Sequence, residues 1–133
     1  MINRGFSLIE LLVTLTIIGI LAMIAYPSYL SYVVKAKRST AEASLVNLAS
    51  LMESYYNAHN TYSGATLSEL NTNSGTDDHS YQLEISSAAA SSFLVQAVPQ
   101  GNQATLDSTC GTLTYDQLGN KGITGTGTVN ECW

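Results

Sequence analysis

The sequence predicts an α+β chain in which one long amino-terminal α-helix packs on a small antiparallel sheet of three or four strands. Three observations carry this. The run from Phe6 to Tyr26 is apolar almost without interruption. From Ala41 to His59 the apolar residues recur at helical spacing, and beyond residue 80 the pattern switches to alternation with period two.

The apolar run comes first. About 21 residues at helical rise cover about 32 Å, enough to cross the hydrocarbon core of a bilayer. It is too long for an ordinary secretory signal, in which a shorter apolar stretch is followed by a small-residue cleavage site. A candidate cleavage point precedes it instead, between Gly5 and Phe6, after a leader of Met1, Ile2, Asn3, Arg4 and Gly5. Glu10 interrupts the run where an ionised carboxylate costs a few kcal/mol or more. A protonated or snorkelling glutamate is the plain account. The sharper one uses cleavage: a cut after Gly5 creates a cationic amine on Phe6, and in a staggered row of chains Glu10 of one can meet that amine on another, cancelling two charges neither chain can solvate alone.

Pro27 removes a backbone donor inside the expected helix and predicts a kink, with Gly19 a second weak point. Beyond it Ala41, Leu45, Leu48, Met52, Tyr55 or Tyr56, and His59 follow the i, i+3, i+4, i+7 pattern, while Lys37, Arg38, Glu42, Asn47, Ser50, Glu53 and Asn57 fall mostly elsewhere. A helix from Phe6 to about His59 would be roughly 80 Å long, more natural in a fibre than in a free globule. Residues 60–80 read as loop, with a short turn around Leu67 to Leu70. Tyr81, Leu83 and Ile85 then alternate with Gln82, Glu84 and Ser86; Phe93, Val95 and Ala97 alternate with Leu94, Gln96 and Val98 until Pro99 and Gly101 close the strand. Leu113 and Tyr115 alternate with Thr112, Thr114 and Asp116. Gly119 and Asn120 signal a hairpin returning through Lys121 to Thr124 as a weak fourth strand. The tail from Gly125 to Trp133 has no periodicity.

The chain has 133 residues and a net charge of −5, enough length for one domain. Residues 39–133 are mostly Ser, Thr, Asn and Gly with scattered aliphatics, so the core must be small and needs help from the long helix, a disulfide or neighbouring subunits. Beyond Arg38 one lysine, Lys121, stands against nine acidic residues, leaving about −8. Such a head repels nucleic acid unless a local basic strip overrides the mean. Cys110 and Cys132 allow one intramolecular pairing, and a head outside the cytoplasm would make it a disulfide. No active site is legible. His59 and His79 lack ligand-spaced neighbours, the Asp77 and Asp78 pair lacks the alternating oxygens of a calcium loop, and no glycine-framed nucleophile or phosphate loop occurs. The expectation is no enzyme, no metal and no cofactor.

The stretch Arg4, Gly5, Phe6, Ser7, Leu8, Ile9, Glu10, Leu11 resembles the class III leader junction of type IV pilins, and the resemblance continues through Gly19, Ala25, Tyr26, Pro27 and Tyr29. Cys110 to Thr114, Gly119, the Gly125, Thr126, Gly127 run and the ending Glu131, Cys132, Trp133 look like the minor pilin group typified by PilE of gamma-proteobacteria. The resemblance implies the type IV pilin fold and cleavage by a prepilin peptidase between Gly5 and Phe6. It also implies N-methylation of Phe6, guidance of assembly by Glu10, and loosening of the helix between Gly19 and Pro27 when the subunit leaves lipid. Residues 1–5 would then be leader, 6–30 the transmembrane and filament-core helix, and 31–133 the head with its disulfide loop. Partners would be other pilin subunits, the peptidase, the pilus assembly platform and, before assembly, the inner membrane. The extracellular pilus follows, serving adhesion, twitching motility or DNA uptake. A count of Lys and Arg, one in the leader against Lys35, Lys37 and Arg38 beyond the span, favours a cytoplasmic head; the cysteine pair and the resemblance favour the opposite. Two alternatives share the amino-terminal features: a DNA-receptor pilin of a competence pilus, opposed by the acidic head, and a type II secretion pseudopilin, opposed by the cysteine-bounded tail.

Overall fold

The computed structural model describes residues 5–133, so the expected leader, apart from Gly5, lies outside the described residues. The elements run α1 (Leu8–His59), β1 (Tyr81–Ala88), β2 (Phe93–Pro99), α2 (Gly101–Leu106), β3 (Leu113–Asp116), β4 (Lys121–Ile123) and α3 (Val129–Cys132). The chain divides into two compact units that meet between Val33 and Val34.

In the first unit α1 begins at Leu8, not Phe6. The reason is Ser7, whose Oγ accepts the Glu10 N–H at 3.2 Å and whose carbonyl accepts the N–H groups of Glu10 and Leu11. An acceptor at this place satisfies donors that the first helical turn leaves open. Gly19 and Pro27 both lie inside α1.

In the second unit a four-stranded antiparallel sheet in the order β1, β2, β3, β4 packs against the later part of α1. Tyr81 pairs with Pro99 and Leu83 with Ala97; a bulge between Ile85 and Ser87 then shifts the register, leaving Ile85 half-buried. Ala97 pairs with Leu113, and Leu113 with Ile123. The alternation places Tyr81, Leu83, Phe93, Val95, Ala97 and Leu113 on one face, where they meet Ala41, Leu45, Leu48, Ala49 and Met52 of α1. Each fully buried side chain of Leu or Val size stabilises by about 1.5–3 kcal/mol.

The turn at Leu67 to Leu70 is present, with the Leu70 N–H on the Thr66 carbonyl. The β3–β4 connection is organised by Asp116, whose Oδ1 accepts the N–H groups of Leu118 and Asn120 at 2.9 Å and whose Oδ2 accepts the Asn120 amide at 2.8 Å. Gly119 takes φ 79° there, a conformation that favours glycine.

Three features depart from the sequence reading. Residues 101–106 form α2, and the tail ends in α3, stapled by the Glu131 carboxylate, which accepts the Thr128 N–H and hydroxyl. Arg38, assigned by its chemistry to the polar face, is buried. It continues the row through Ala41, Leu45, Leu48 and Met52, and a partner on α2's carboxyl end neutralises it.

Candidate functional site

The amino-terminal segment is described by itself. Gly5 and Phe6 precede α1, and Phe6 is 78% exposed. Glu10 stands in the first turn of the helix, where the macrodipole favours a carboxylate. It is the one acidic or basic side chain between Phe6 and Pro27, and among the described residues it makes no ion pair. The hydroxyls of Thr14 and Thr16 donate to the Leu11 and Leu12 carbonyls at 2.9 and 2.8 Å, so neither presents an unsatisfied donor to an apolar surrounding. Leu8, Ile9, Leu11, Leu12, Val13 and Leu15 are all exposed, and α1 carries a window of mean hydropathy 2.5, long and apolar enough to cross a membrane. The structure thus leaves an apolar helix bearing one isolated charge near its start.

In the head, Arg38, Tyr81, Gln103 and Asp107 form a buried polar network. Arg38 pairs with Asp107 Oδ1. Tyr81 donates its hydroxyl to Asp107 Oδ2 at 2.7 Å. Gln103 Nε2 lies 3.1 Å from the Val34 carbonyl, 3.2 Å from the Tyr81 hydroxyl and 3.3 Å from Asp107 Oδ2. Burial, reinforced by the hydrogen bond to Asp107, pushes the Tyr81 hydroxyl well above the ordinary phenol range. No buried side-chain polar atom is left unpaired among the described residues. The network ties α1, β1 and α2 together with all four side chains buried, so its task is to hold the head.

Cys110 and Cys132 form a disulfide with a Cα separation of 5.5 Å. Arg38 Nη1 lies 3.0 Å from Cys110 Sγ, and Nη2 lies 3.5 Å from the Glu131 carbonyl, so one guanidinium touches both arms of the bridge. Trp133 closes the tail by donating Nε1–H to the Gly122 carbonyl at 3.0 Å, with Lys121 Nζ 5.0 Å from its ring centroid. Glu42 lies where burial raises its carboxyl above the usual range while Arg38 and Lys121 pull it back.

The remaining candidates are separate. His59 stacks on Tyr55 with ring centroids 4.1 Å apart. His79 sits on the 71–80 loop with φ 54°. No group of His, Cys, Asp or Glu able to hold a metal occurs among the described residues. Sequence reasoning missed Arg38, Gln103 and Asp107; the signal for Arg38 was its place in the apolar row, three residues before Ala41.

A long apolar-to-amphipathic helix on a four-stranded antiparallel sheet, with a cysteine-bounded tail, defines a type IV pilin. The structure is similar to the non-core minor pilin PilV of Neisseria meningitidis (TM-score 0.57, 24% identity, 74% of this chain and 93% of that one). It is also similar to a type IV pilin from Shewanella oneidensis (TM-score 0.52, 23% identity, 75% of this chain and 97% of that one). At these identities the likeness speaks for the fold. No curated protein matches the chain. Residues 1–26 match the prokaryotic N-terminal methylation motif. Residues 27–114 match the family described as type IV minor pilin ComP, DNA uptake sequence receptor, and the chain belongs to that family. It is a structural pilin and not an enzyme, anchored in a membrane by its apolar helix and then assembled into a pilus with other pilin subunits.

Proposed function

We propose that a prepilin peptidase cuts this chain between Gly5 and Phe6, that the new amine on Phe6 is N-methylated, and that Glu10 pairs with that amine on a neighbouring subunit as the assembly platform adds the chain to a filament. The observation that carries the reading is the isolation of Glu10 in an exposed apolar helix. A helix N-terminus offers a carboxylate about 0.3–1 kcal/mol. A charge inside lipid costs a few kcal/mol or more. The difference calls for a cation from outside the chain, and the amine created by cleavage is one at the right end of the next helix. Gly19 and Pro27 are the positions at which the helix would loosen on leaving the inner membrane. The head lies outside the cytoplasm, in keeping with its disulfide. Glu10→Ala in cells lacking the natural copy tests this: the variant inserts and is processed but is absent from sheared pili. Incorporation at the natural level removes the role assigned to Glu10.

A second reading, DNA uptake receptor, is favoured by the family's description. The surface opposes it. Lys121 lies against Trp133, and acidic residues outnumber basic ones across the head. A gel-shift titration of purified protein decides: retardation of duplex DNA at low salt supports the receptor, and none at any concentration tried removes it.

A further inference from the structure

The filament chemistry leaves unused a concave surface that lies wholly within the head. A cavity of about 620 Å³ opens between loop 73–79, the first residues of β1 and Gln100. That size falls in the range of small-ligand sites. Its walls carry Asn73, Asp77, His79, Gln82 and Gln100. Gln100 Nε2 donates to the Val98 carbonyl at 3.2 Å; the other four side chains make no hydrogen bond among the described residues.

These four groups do not shape the loop. Asp78, which does not line the cavity, does that, accepting the hydroxyls of Thr76 and Ser80 at 2.7 Å each and the Ser80 N–H at 3.2 Å. The loop is also laced to the sheet edge, with the Thr76 N–H on the Tyr81 carbonyl at 3.0 Å and the Leu83 N–H on the Ser74 carbonyl at 2.9 Å. His79 is held at φ 54°, a conformation unfavourable for a non-glycine residue, and it still lines the cavity. The site is therefore formed before any ligand arrives, which lowers the entropy cost of binding.

The lining sets the ligand's chemistry. No lysine or arginine lines the cavity and one carboxylate does, so phosphodiesters and other anions are disfavoured. A metal ion finds no cluster of ligands among the described residues. Amides and an imidazole present donors beside acceptors, the combination that neighbouring hydroxyl groups match because each both gives and takes a hydrogen bond. We propose that this cavity binds an uncharged saccharide. A few hydrogen bonds of this kind support a Kd on the order of millimolar.

The test is saturation-transfer difference NMR on the full-length chain in a zwitterionic detergent without sugar headgroups. The probes are lactose, chitobiose and glucose at about 10 mM, above a millimolar Kd. The expected result is transfer to at least one saccharide, weakened at least about fivefold by Gln82→Ala and by His79→Gly. Both side chains are exposed, and glycine keeps the positive φ, so folding is spared. Absence of transfer to all three sugars, equal transfer in the two variants, or displacement of the sugar by short duplex DNA overturns the proposal, the last by giving the cavity to nucleic acid.

Discussion

Replacing Asp107 by asparagine keeps the shape of the buried network and removes its only negative charge. Arg38 is 8% exposed and Asp107 3%, so the guanidinium cannot turn to water when its partner is lost. Breaking a buried pair on one side costs about 3–5 kcal/mol, because it leaves an uncompensated charge. The amide nitrogen of asparagine would also face a donor, either Arg38 Nη1 or the Tyr81 hydroxyl, each of which now donates to a carboxylate oxygen. For a domain of this size 1 kcal/mol moves the melting midpoint by about 4–8 °C, so Asp107→Asn lowers it by at least about 10 °C. The assay is thermal unfolding of the full-length chain followed by circular dichroism, in parallel with Arg38→Met and the double variant Arg38→Met/Asp107→Leu. The double variant recovers at least half of the loss, since no charge remains buried, while the Tyr81 hydroxyl still lacks its acceptor. A loss under about 1 kcal/mol in Asp107→Asn, or strictly additive single effects, would refute the reasoning that these groups act as one network.

Three further outcomes are expected. Cys132→Ser lowers the stability of the head by about 3 kcal/mol and raises amide exchange between Lys121 and Trp133, read by hydrogen exchange with mass spectrometry. Gly111→Ala costs about 1–3 kcal/mol in denaturant unfolding, because φ there is 64° and a Cβ would come within 2.8 Å of Thr124 Oγ1. The pH response has two signs. Hydrogen bonds from Asn120 hold the Asp116 carboxyl below its ordinary value of 3.8, so its stabilisation is complete above that value and fades as pH falls through the lower folded-state value. Burial raises Glu42 instead, so its ionisation in the fold detracts from stability once pH rises past the ordinary value of 4.5. Asp116→Asn therefore flattens the acid limb of an unfolding-midpoint profile, and Glu42→Gln raises the neutral plateau without moving the acid limb.

The parts of the fold legible in the sequence are those whose stability follows from a repeating pattern. Ala41, Leu45, Leu48 and Met52 declare a helix face, and Tyr81, Leu83, Phe93, Val95 and Ala97 declare a sheet face, because burial on one side imposes the period. The α2 and α3 segments are too short to show a period and take their stability from tertiary contacts. Gln103 in α2 and Asp107 at its carboxyl-terminal cap stand four apart, yet their polar chemistry reads as solvent-facing until the buried arginine 69 positions away from Asp107 is known. The same long-range pairing turns Arg38 from an expected surface cation into a core residue. At the amino terminus the methylation motif over residues 1–26 is legible because its pattern is local, an apolar span carrying one acidic residue, Glu10, near its start; the cut between Gly5 and Phe6 is the proposal built on it. The polar cavity beside β1 was not legible, since the bridge between Gly75 and Gln82 and the bonds of Thr76 to the Tyr81 backbone, which bring the loop against the strand, leave no periodic trace in the sequence.

The claim at the centre of this account is that the chain is a processed pilin, and intact mass spectrometry of pili sheared from cells and purified tests it most directly. The account predicts a species that begins at Phe6, carries one added methyl group and lacks two hydrogens at Cys110 and Cys132. A chain found only with its leader attached, and never in the pilus fraction, would contradict it.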